Sequence, residues 1–360
     1  MRKLKIAFYC TNEFSCPLPE EILYAPMDLA ERIVLGLAGR GHDVTFYCSY
    51  DSKIKAKKES GEMVSYYKSE DKISNGGFHD QGQLAVYEQL LASKMYEDSQ
   101  GGKYDIIHAF HLVPKILPFV NLTKTPTVFT LHDPMDAKWN NVIKYCRWKN
   151  RAHYVSISDS QRRGMPDLNY AATVYNGIDP EKSDYNEKPE DYFAFLGRYA
   201  YEKGADIAVK VAVEAGEKLR MAGTRWGDGF YNEKIKPFLK KDRIEDVGFL
   251  EKEKVSEFLR NAKALLFPVR WQEPFGLVMI EAMACGTPVI AFDNGSVSEV
   301  VSHGKTGFIV KNEAEMAEAI KSINKINRRE CRARVEKYFT TDRMVDGYEN
   351  VYEKIINAKR

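Results

Sequence analysis

Short β-rich runs alternate with helical patterns along nearly all of this 360-residue chain. Lys5–Cys10 reads as a first strand, Asp28–Gly39 as a helix, and Asp43–Cys48 as a second strand beyond the Gly41 turn. Further strands are expected at Asp105–Ala109, Thr127–Leu131, His153–Ser156 and Thr173–Tyr175, with helices at Gln83–Met95 and Met135–Asn150. Such alternation argues for parallel strands in one sheet with helices on its faces, because parallel neighbours need a crossover. The pattern breaks at Ile178–Asp191, which is polar and proline-bearing and suits an interdomain linker. A second series follows, with strands at Tyr192–Leu196, Lys218–Met221, Asp246–Phe249 and Ala264–Pro268. Helices are expected between them at Lys203–Ala215, Gly229–Leu239 and Lys252–Ala262, and later at Glu330–Phe339 and Asp342–Ala358. A chain of this length exceeds what one core supports, so two α/β domains are expected.

Several function classes are disfavoured. A net charge of +2 makes no electrostatic case for nucleic acid. The one basic run, Lys53, Lys55, Lys57 and Lys58, reads as a solvated loop. Cys10, Cys16, Cys48, Cys146, Cys285 and Cys331 are scattered without CxxC or Cys/His spacing, which fits a reducing cytoplasm and no zinc site. The opening MRKLKIAFYCTNEF holds too short an apolar run for a signal peptide, and no segment nears the roughly 20 apolar residues that span a bilayer. Membrane association is therefore expected to be peripheral at most, at the inner face. The loop after the first strand, TNEFSCPLPE, lacks glycine, so no GxGxxG cradles a pyrophosphate there, and no P-loop occurs.

The chemistry concentrates in Pro268–Ile290, PVRWQEPFGLVMIEAMACGTPVI. Pro274-Phe275-Gly276 is expected to open an apolar helix that Gly286 and Pro288 end. Glu281 stands inside it among Leu277, Val278, Met279, Ile280, Ala282 and Met283, where a carboxylate is costly unless paired. Glu273 lies eight residues earlier, about 12 Å away if all were helical at ~1.5 Å per residue. A nucleotide sugar separates its hexose and its ribose by a comparable span, so one glutamate could hold sugar hydroxyls and the other ribose hydroxyls. Gly276 permits close backbone approach, and free N–H groups at a helix start attract phosphate. Arg198 and Lys203 bracket the loop after Tyr192–Leu196, where two fixed cations could hold a diphosphate.

Glu273 and Glu281 together resemble the E-x7-E signature of retaining glycosyltransferases of family 4. The likeness extends over nearly the whole chain. Leu196-Gly197-Arg198 with Lys203-Gly204 resembles that family's phosphate loop, Val174–Asp179 its NGID element, and Val155–Ser160 its strand before a short helix. Gly295–Val300 with Gly304–Phe308 resembles its C-terminal pattern, and Thr130-Leu131-His132-Asp133 its first-domain histidine segment. The resemblance implies an α/β GT-B fold: two Rossmann-like domains with parallel sheets facing a central cleft. Residues 1–178 would form the acceptor-side domain and 179–340 the donor domain, with a helix over 341–360 packing back on the first. It further implies that Arg198 and Lys203 bind the donor diphosphate, together with Gly197. Glu273 would hold the transferred sugar and Glu281 the ribose. Backbone at Phe275, Gly276 and Leu277 would reach sugar and phosphates, and His132 would lie near the sugar.

The implied activity is transfer of a hexose from a UDP- or GDP-linked sugar to an acceptor hydroxyl, with same-face attack, retention, no metal and no cofactor. The acceptor could be a glycan, a lipid-linked glycan or a small molecule. One departure stands out. Family members carry a Gly-Gly pair in the loop after the first strand, whereas here that loop contains Pro17-Leu18-Pro19-Glu20-Glu21-Ile22-Leu23-Tyr24. A nucleotide-sugar-binding protein with a remodelled first domain and no transferase activity is the alternative.

Overall fold

The computed structural model describes residues 2–70, 81–111, 113–136, 140–225, 228–239 and 243–358. They form two compact units. The first comprises Met1–Ile157, Arg162–Tyr175 and Thr341–Arg360, and the second Ser158–Gln161 and Asn176–Thr340.

In the first unit the elements run β1 (Lys5–Tyr9), α1 (Ala25–Gly39), β2 (Asp43–Tyr47), β3 (Lys57–Glu59), α2 (Gln81–Asp98), β4 (Ile106–Ala109), α3 (Val113–Ile116), β5 (Thr127–Leu131), β6 (His153–Ser156) and β7 (Tyr170–Thr173). The seven strands are all parallel, in the order β3-β2-β1-β4-β5-β6-β7. Strands β4 and β5 are buried along their whole length, which accounts for their apolar runs: both faces of a parallel sheet are covered. Helix α1 starts with Pro26 in its first turn and Asp28 near its positive end, and buries Met27, Leu29, Ile33, Val34 and Leu37.

The second unit runs β8 (Phe193–Leu196), α4 (Ala205–Ala215), β9 (Leu219–Ala222), α5 (Asp228–Lys234), β10 (Ile244–Gly248), α6 (Lys252–Arg260), β11 (Leu265–Phe267), α7 (Leu277–Ala284), β12 (Val289–Phe292), α8 (Val297–Val300), β13 (Gly307–Val310), α9 (Glu313–Ser322) and α10 (Arg328–Tyr338). Its six parallel strands are ordered β10-β9-β8-β11-β12-β13. Glu299, on α8, accepts from the backbone N–H groups of Asp159 and Ser160 at 2.8 Å each, which ties that short segment to the second unit.

The chain returns to the first unit as α11 (Thr341–Ala358), whose stripe of Met344, Val345, Tyr348, Val351, Tyr352 and Ile355 is buried. A buried polar network anchors it there. His108 on β4 lies 2.6 Å from Tyr352 Oη through Nδ1 and 2.8 Å from Thr130 Oγ1 through Nε2, and Thr130 donates to Tyr348 Oη at 3.1 Å. Burial pushes the His108 pKa down to about 3. The unfolded chain, with an ordinary histidine near 6.5, therefore binds one more proton between those values. Stability is full above about pH 6.5 and falls by about 1.4 kcal/mol per pH unit as pH drops into that window. Urea titrations of wild type and His108→Gln at pH 7, 6 and 5 should show a shallower pH slope in the variant. Equal slopes would remove His108 from the account.

The structure shifts some sequence expectations. Thr173–Tyr175 is not a strand, because β7 ends at Thr173. Met135–Asn150 is not one helix: 3-10 turns occupy Asn140–Tyr145 and Lys149–Arg151, and residues 137–139 lie outside the described residues. Lys57 and Lys58 leave the expected loop for β3, held by backbone pairing to Thr45 and Phe46. The stretch Ile178–Asp191 belongs wholly to the second unit, and the chain crosses between units beside Tyr175 and Thr340 instead.

Candidate functional site

In the second unit, β8 and β11 are neighbours, so the loops that leave their C-terminal ends lie side by side. The first loop carries Gly197, Arg198 and, on a 3-10 turn, Lys203; the second carries Trp271, Glu273, Phe275 and Gly276. Lys203 Nζ sits 2.7 Å from Glu273 Oε2, and the Trp271 indole N–H donates to the same oxygen at 2.7 Å. The ammonium also lies 4.3 Å from the Trp271 ring centroid, a cation–π contact. Glu273 is only 7 % exposed, so this triple contact is what makes its charge tolerable there.

Arg270 bolts the two loops together. Its guanidinium grips Asp206 with two bonds of 2.7 Å and donates to the Tyr201 carbonyl at 2.7 Å, while its backbone N–H reaches the Glu202 carbonyl at 2.9 Å. Arg198 lies 3.4 Å from Glu202, and its side chain is 36 % exposed. Gly197 donates its N–H to the Ala222 carbonyl at 3.0 Å.

Helix α7 begins later than expected. Pro274, Phe275 and Gly276 precede it, and Gly276 adopts a left-handed φ of 75° as its N-cap, a turn that places Leu277 first in the helix. Glu273 and Glu281 are therefore not joined by continuous helix, and the 1.5 Å rise does not measure their separation. Phe275 is buried against Phe339, while Leu277 is half-buried. Glu281 is half-buried too, beside the fully buried Met279, Ile280, Ala282 and Met283.

Residues that sequence reasoning assigned no role brace Glu273. In the loop after β12, Asn294 donates to the Val269 carbonyl at 2.7 Å, and the Gly295 N–H to Gln272 Oε1 at 3.2 Å. Ser296 N–H donates to the Glu273 carbonyl at 3.0 Å, and its hydroxyl to that of Phe275 at 2.8 Å. The missed signal was positional: these residues follow the strand next to β11. A second cluster surrounds Asp246 on β10, which accepts from Tyr199 at 2.6 Å, from the Gly248 N–H at 2.9 Å and from Tyr231. Burial, then the bond to Asp246, holds the Tyr199 hydroxyl well above its usual pKa.

In the first unit, His132 follows β5 and is half-buried, its ring 4.5 Å from that of Phe110. Burial, followed by His111 and His108, holds its pKa well below the usual value, despite a hydrogen bond to the Phe110 backbone. The imidazole is thus neutral. Nε2 has no partner among the described residues, so the Phe110 bond uses Nδ1–H and leaves Nε2 as a lone-pair acceptor. The glycine-free loop after β1 is held from below by Glu88, whose buried carboxylate accepts from Tyr9, Thr11 and the Asn12 N–H. Among the described residues no three His, Cys, Asp or Glu side chains cluster as metal ligands, and no helix is long and apolar enough to cross a membrane.

Comparison with known proteins matches this architecture in both halves. Residues 29–182 match the model of Glycosyltransferase Family 4 and residues 178–340 that of Glycosyl transferases group 1. N-acetyl-alpha-D-glucosaminyl L-malate synthase of Bacillus anthracis is 28% identical over 315 residues, covering 76% of this chain and 81% of that protein. Sucrose-phosphate synthase of Thermosynechococcus elongatus superposes with a TM-score of 0.74 at 18% identity, over 99% of this chain and 100% of that one. The HepE protein of Anabaena, crystallised with UDP and glucose, gives 0.72 at 16% identity over 97% and 99%. The chain belongs to the group 1/family 4 glycosyltransferases and is a glycosyltransferase of the two-domain, Rossmann-like GT-B fold.

Proposed function

We propose that the chain transfers a hexose from a UDP- or GDP-linked sugar to an acceptor hydroxyl, with retention and without a metal. The observation that carries this reading is the Lys203–Glu273–Trp271 contact, braced by Asn294–Ser296 at the C-terminal edge of the second sheet. In open parallel sheets, ligands bind at that edge. Lys203 and Trp271 both meet Oε2 of Glu273, so Oε1 is the atom with capacity for sugar hydroxyls. When a diphosphate arrives, Lys203 and Arg198, with Gly197 and the backbone of Phe275, Gly276 and Leu277, offset the charge that grows on the leaving group. Glu281 takes the ribose hydroxyls. Anabaena HepE, of the same fold, was crystallised with UDP and glucose, which supports a nucleotide-sugar donor. The six cysteines are free, which suits a reducing cytoplasm as the place of reaction.

A panel of UDP- and GDP-sugars tests the reading by thermal shift and by nucleoside-diphosphate release. The true donor at 100 times its Kd should stabilise the protein by about 2.7 kcal/mol, and a product analysed by NMR should keep the donor's anomeric configuration. A panel that neither shifts the melting temperature nor releases nucleoside diphosphate would refute it.

A further inference from the structure

A cavity of about 430 Å³ opens in the second unit, at the edge of its sheet away from the Lys203–Glu273 pair. Its walls come from four stretches of chain: residues 185–189, Lys263, Pro288 and residues 323–329. Lys263 precedes β11 and Pro288 precedes β12, whereas Glu273 follows β11, so the strands stand between this cavity and the donor loops. Its size falls within the roughly 300–1,000 Å³ of small-molecule sites.

Arg328 ties these walls together and leaves a charge beside them. It is 8 % exposed, and four of its five N–H groups donate to neutral acceptors. Nε reaches the Asn186 carbonyl at 2.7 Å and Nη1 that of Ala262 at 2.9 Å, while Nη2 reaches the Arg260 carbonyl at 2.6 Å and Thr287 Oγ1 at 2.7 Å. Asn186, Ala262 and Thr287 adjoin Tyr185, Lys263 and Pro288, so one side chain holds three walls to the fourth. The fifth N–H, on Nη1, has no acceptor among the described residues. Burial lowers the Arg328 pKa, and the groups acting against it are Cys331, Tyr185, Cys285 and Tyr192, none of them a carboxylate. An arginine stays protonated even so. The other cations of the cavity are matched: Lys263 by Asp191 at 2.6 Å and Glu217 at 2.7 Å, Arg329 by Glu187. A buried charge without a counter-ion is costly, and the cavity that Arg328 lines is where one fits.

Tyr185 adds a fixed flat wall. A Cβ at Gly286 would lie 2.6 Å from its Cε2, so the ring rests directly on the Gly286 backbone. Asn324, Asn327 and Glu187 are exposed around the opening and offer amide and carboxylate groups to hydroxyls. We propose that this cavity binds a small hydroxylated organic anion of the sugar-phosphate class. Its phosphate meets Arg328 and Arg329, its ring lies on Tyr185, and its hydroxyls reach the amides. The site is separate from the donor site and does not depend on the glycosyl-transfer reading.

Isothermal titration of the full chain with glucose 6-phosphate, glucose and inorganic phosphate, each with and without saturating UDP, tests this. Glucose 6-phosphate should bind saturably, and each of its two halves at least about 10-fold more weakly. UDP should leave that affinity unchanged. Arg329→Ala and Tyr185→Ala, both at exposed positions, should each weaken binding by about 10-fold, the scale of one charge-assisted contact, with little change in urea midpoint. Arg328→Gln should abolish it; if that variant fails to fold, the two exposed variants decide. Four results would each overturn the site: no saturable binding of glucose 6-phosphate at millimolar concentration, inorganic phosphate binding as tightly as the ester, displacement by UDP, or unchanged affinity in both exposed variants. A chain that binds glucose 6-phosphate in this way but turns over no sugar nucleotide keeps the site and loses only the glycosyl-transfer reading.

Discussion

Lys203→Ala is expected to lower nucleoside-diphosphate release by about 10²–10³-fold, the scale of removing one preorganised charge donor from a reacting centre. The difficulty is that Lys203 also has a resting partner. With Nζ 2.7 Å from Glu273 Oε2 and the two side chains 19 % and 9 % exposed, deleting the lysine strands a buried carboxylate. Breaking such a pair from one side costs about 3–5 kcal/mol, so a fall in activity could simply report a loosened loop. The double variant Lys203→Ala/Glu273→Gln resolves this. Removing both charges relieves the stranded carboxylate, so urea midpoints should recover most of the lost stability. Activity should stay as low as in the worse single variant, because neither the diphosphate cation nor the sugar-binding carboxylate has been restored. If the double variant regains turnover along with stability, the pair is scaffolding and the donor site lies elsewhere. Arg198→Ala gives the complementary measurement. Its guanidinium lies 3.4 Å from Glu202 on a partly exposed turn, so it should weaken donor turnover with little change in stability.

How much of this was legible beforehand depends on where each interaction partner sits in the chain. Strands covered on both faces announced themselves: Thr127–Leu131 and His153–Ser156 fall where their apolar runs place them. The strand at Lys57–Glu59 could not be read, because three charged residues have no strand preference and owe their conformation to pairing with β2. Lys203 and Glu273 were each visible as candidates, one beside a strand end and the other before an apolar helix. Their mutual pairing was not, since 70 residues separate them and only the adjacency of β8 and β11 brings them together. The Asn294–Ser296 brace was hidden for the same reason, its bonds to Val269 and Phe275 spanning 25 and 21 residues. Local pattern reports on local structure, and sites assembled at a sheet edge are long-range objects.

Gly295→Ala tests the brace behind Glu273 by adding a single methyl group against backbone, and should be strongly destabilising. Gly295 holds a φ of +65°, and a Cβ built there would lie 2.2 Å from the Glu273 carbonyl oxygen and 2.4 Å from its nitrogen. Those atoms are backbone, so no side-chain rotation relieves the clash. The strain of a left-handed alanine is roughly 1–2 kcal/mol, and overpacking a tight contact adds about 1–3 kcal/mol. A loss of about 3 kcal/mol in urea unfolding is expected. Relief requires the Glu273 segment to back away by on the order of 1 Å, and a displacement of that size at a substrate-positioning group can cost about 10² in rate. Ser296→Ala serves as the calibrating variant, since it removes the 2.8 Å bond to the Phe275 carbonyl without adding atoms. It should cost about 1 kcal/mol and leave turnover within a few-fold of wild type. The informative comparison is the ratio of the two effects. If Gly295→Ala unfolds as easily as predicted but its residual native fraction turns over donor at the wild-type rate, Glu273 does not need its position held. The carboxylate would then not be the sugar's ligand.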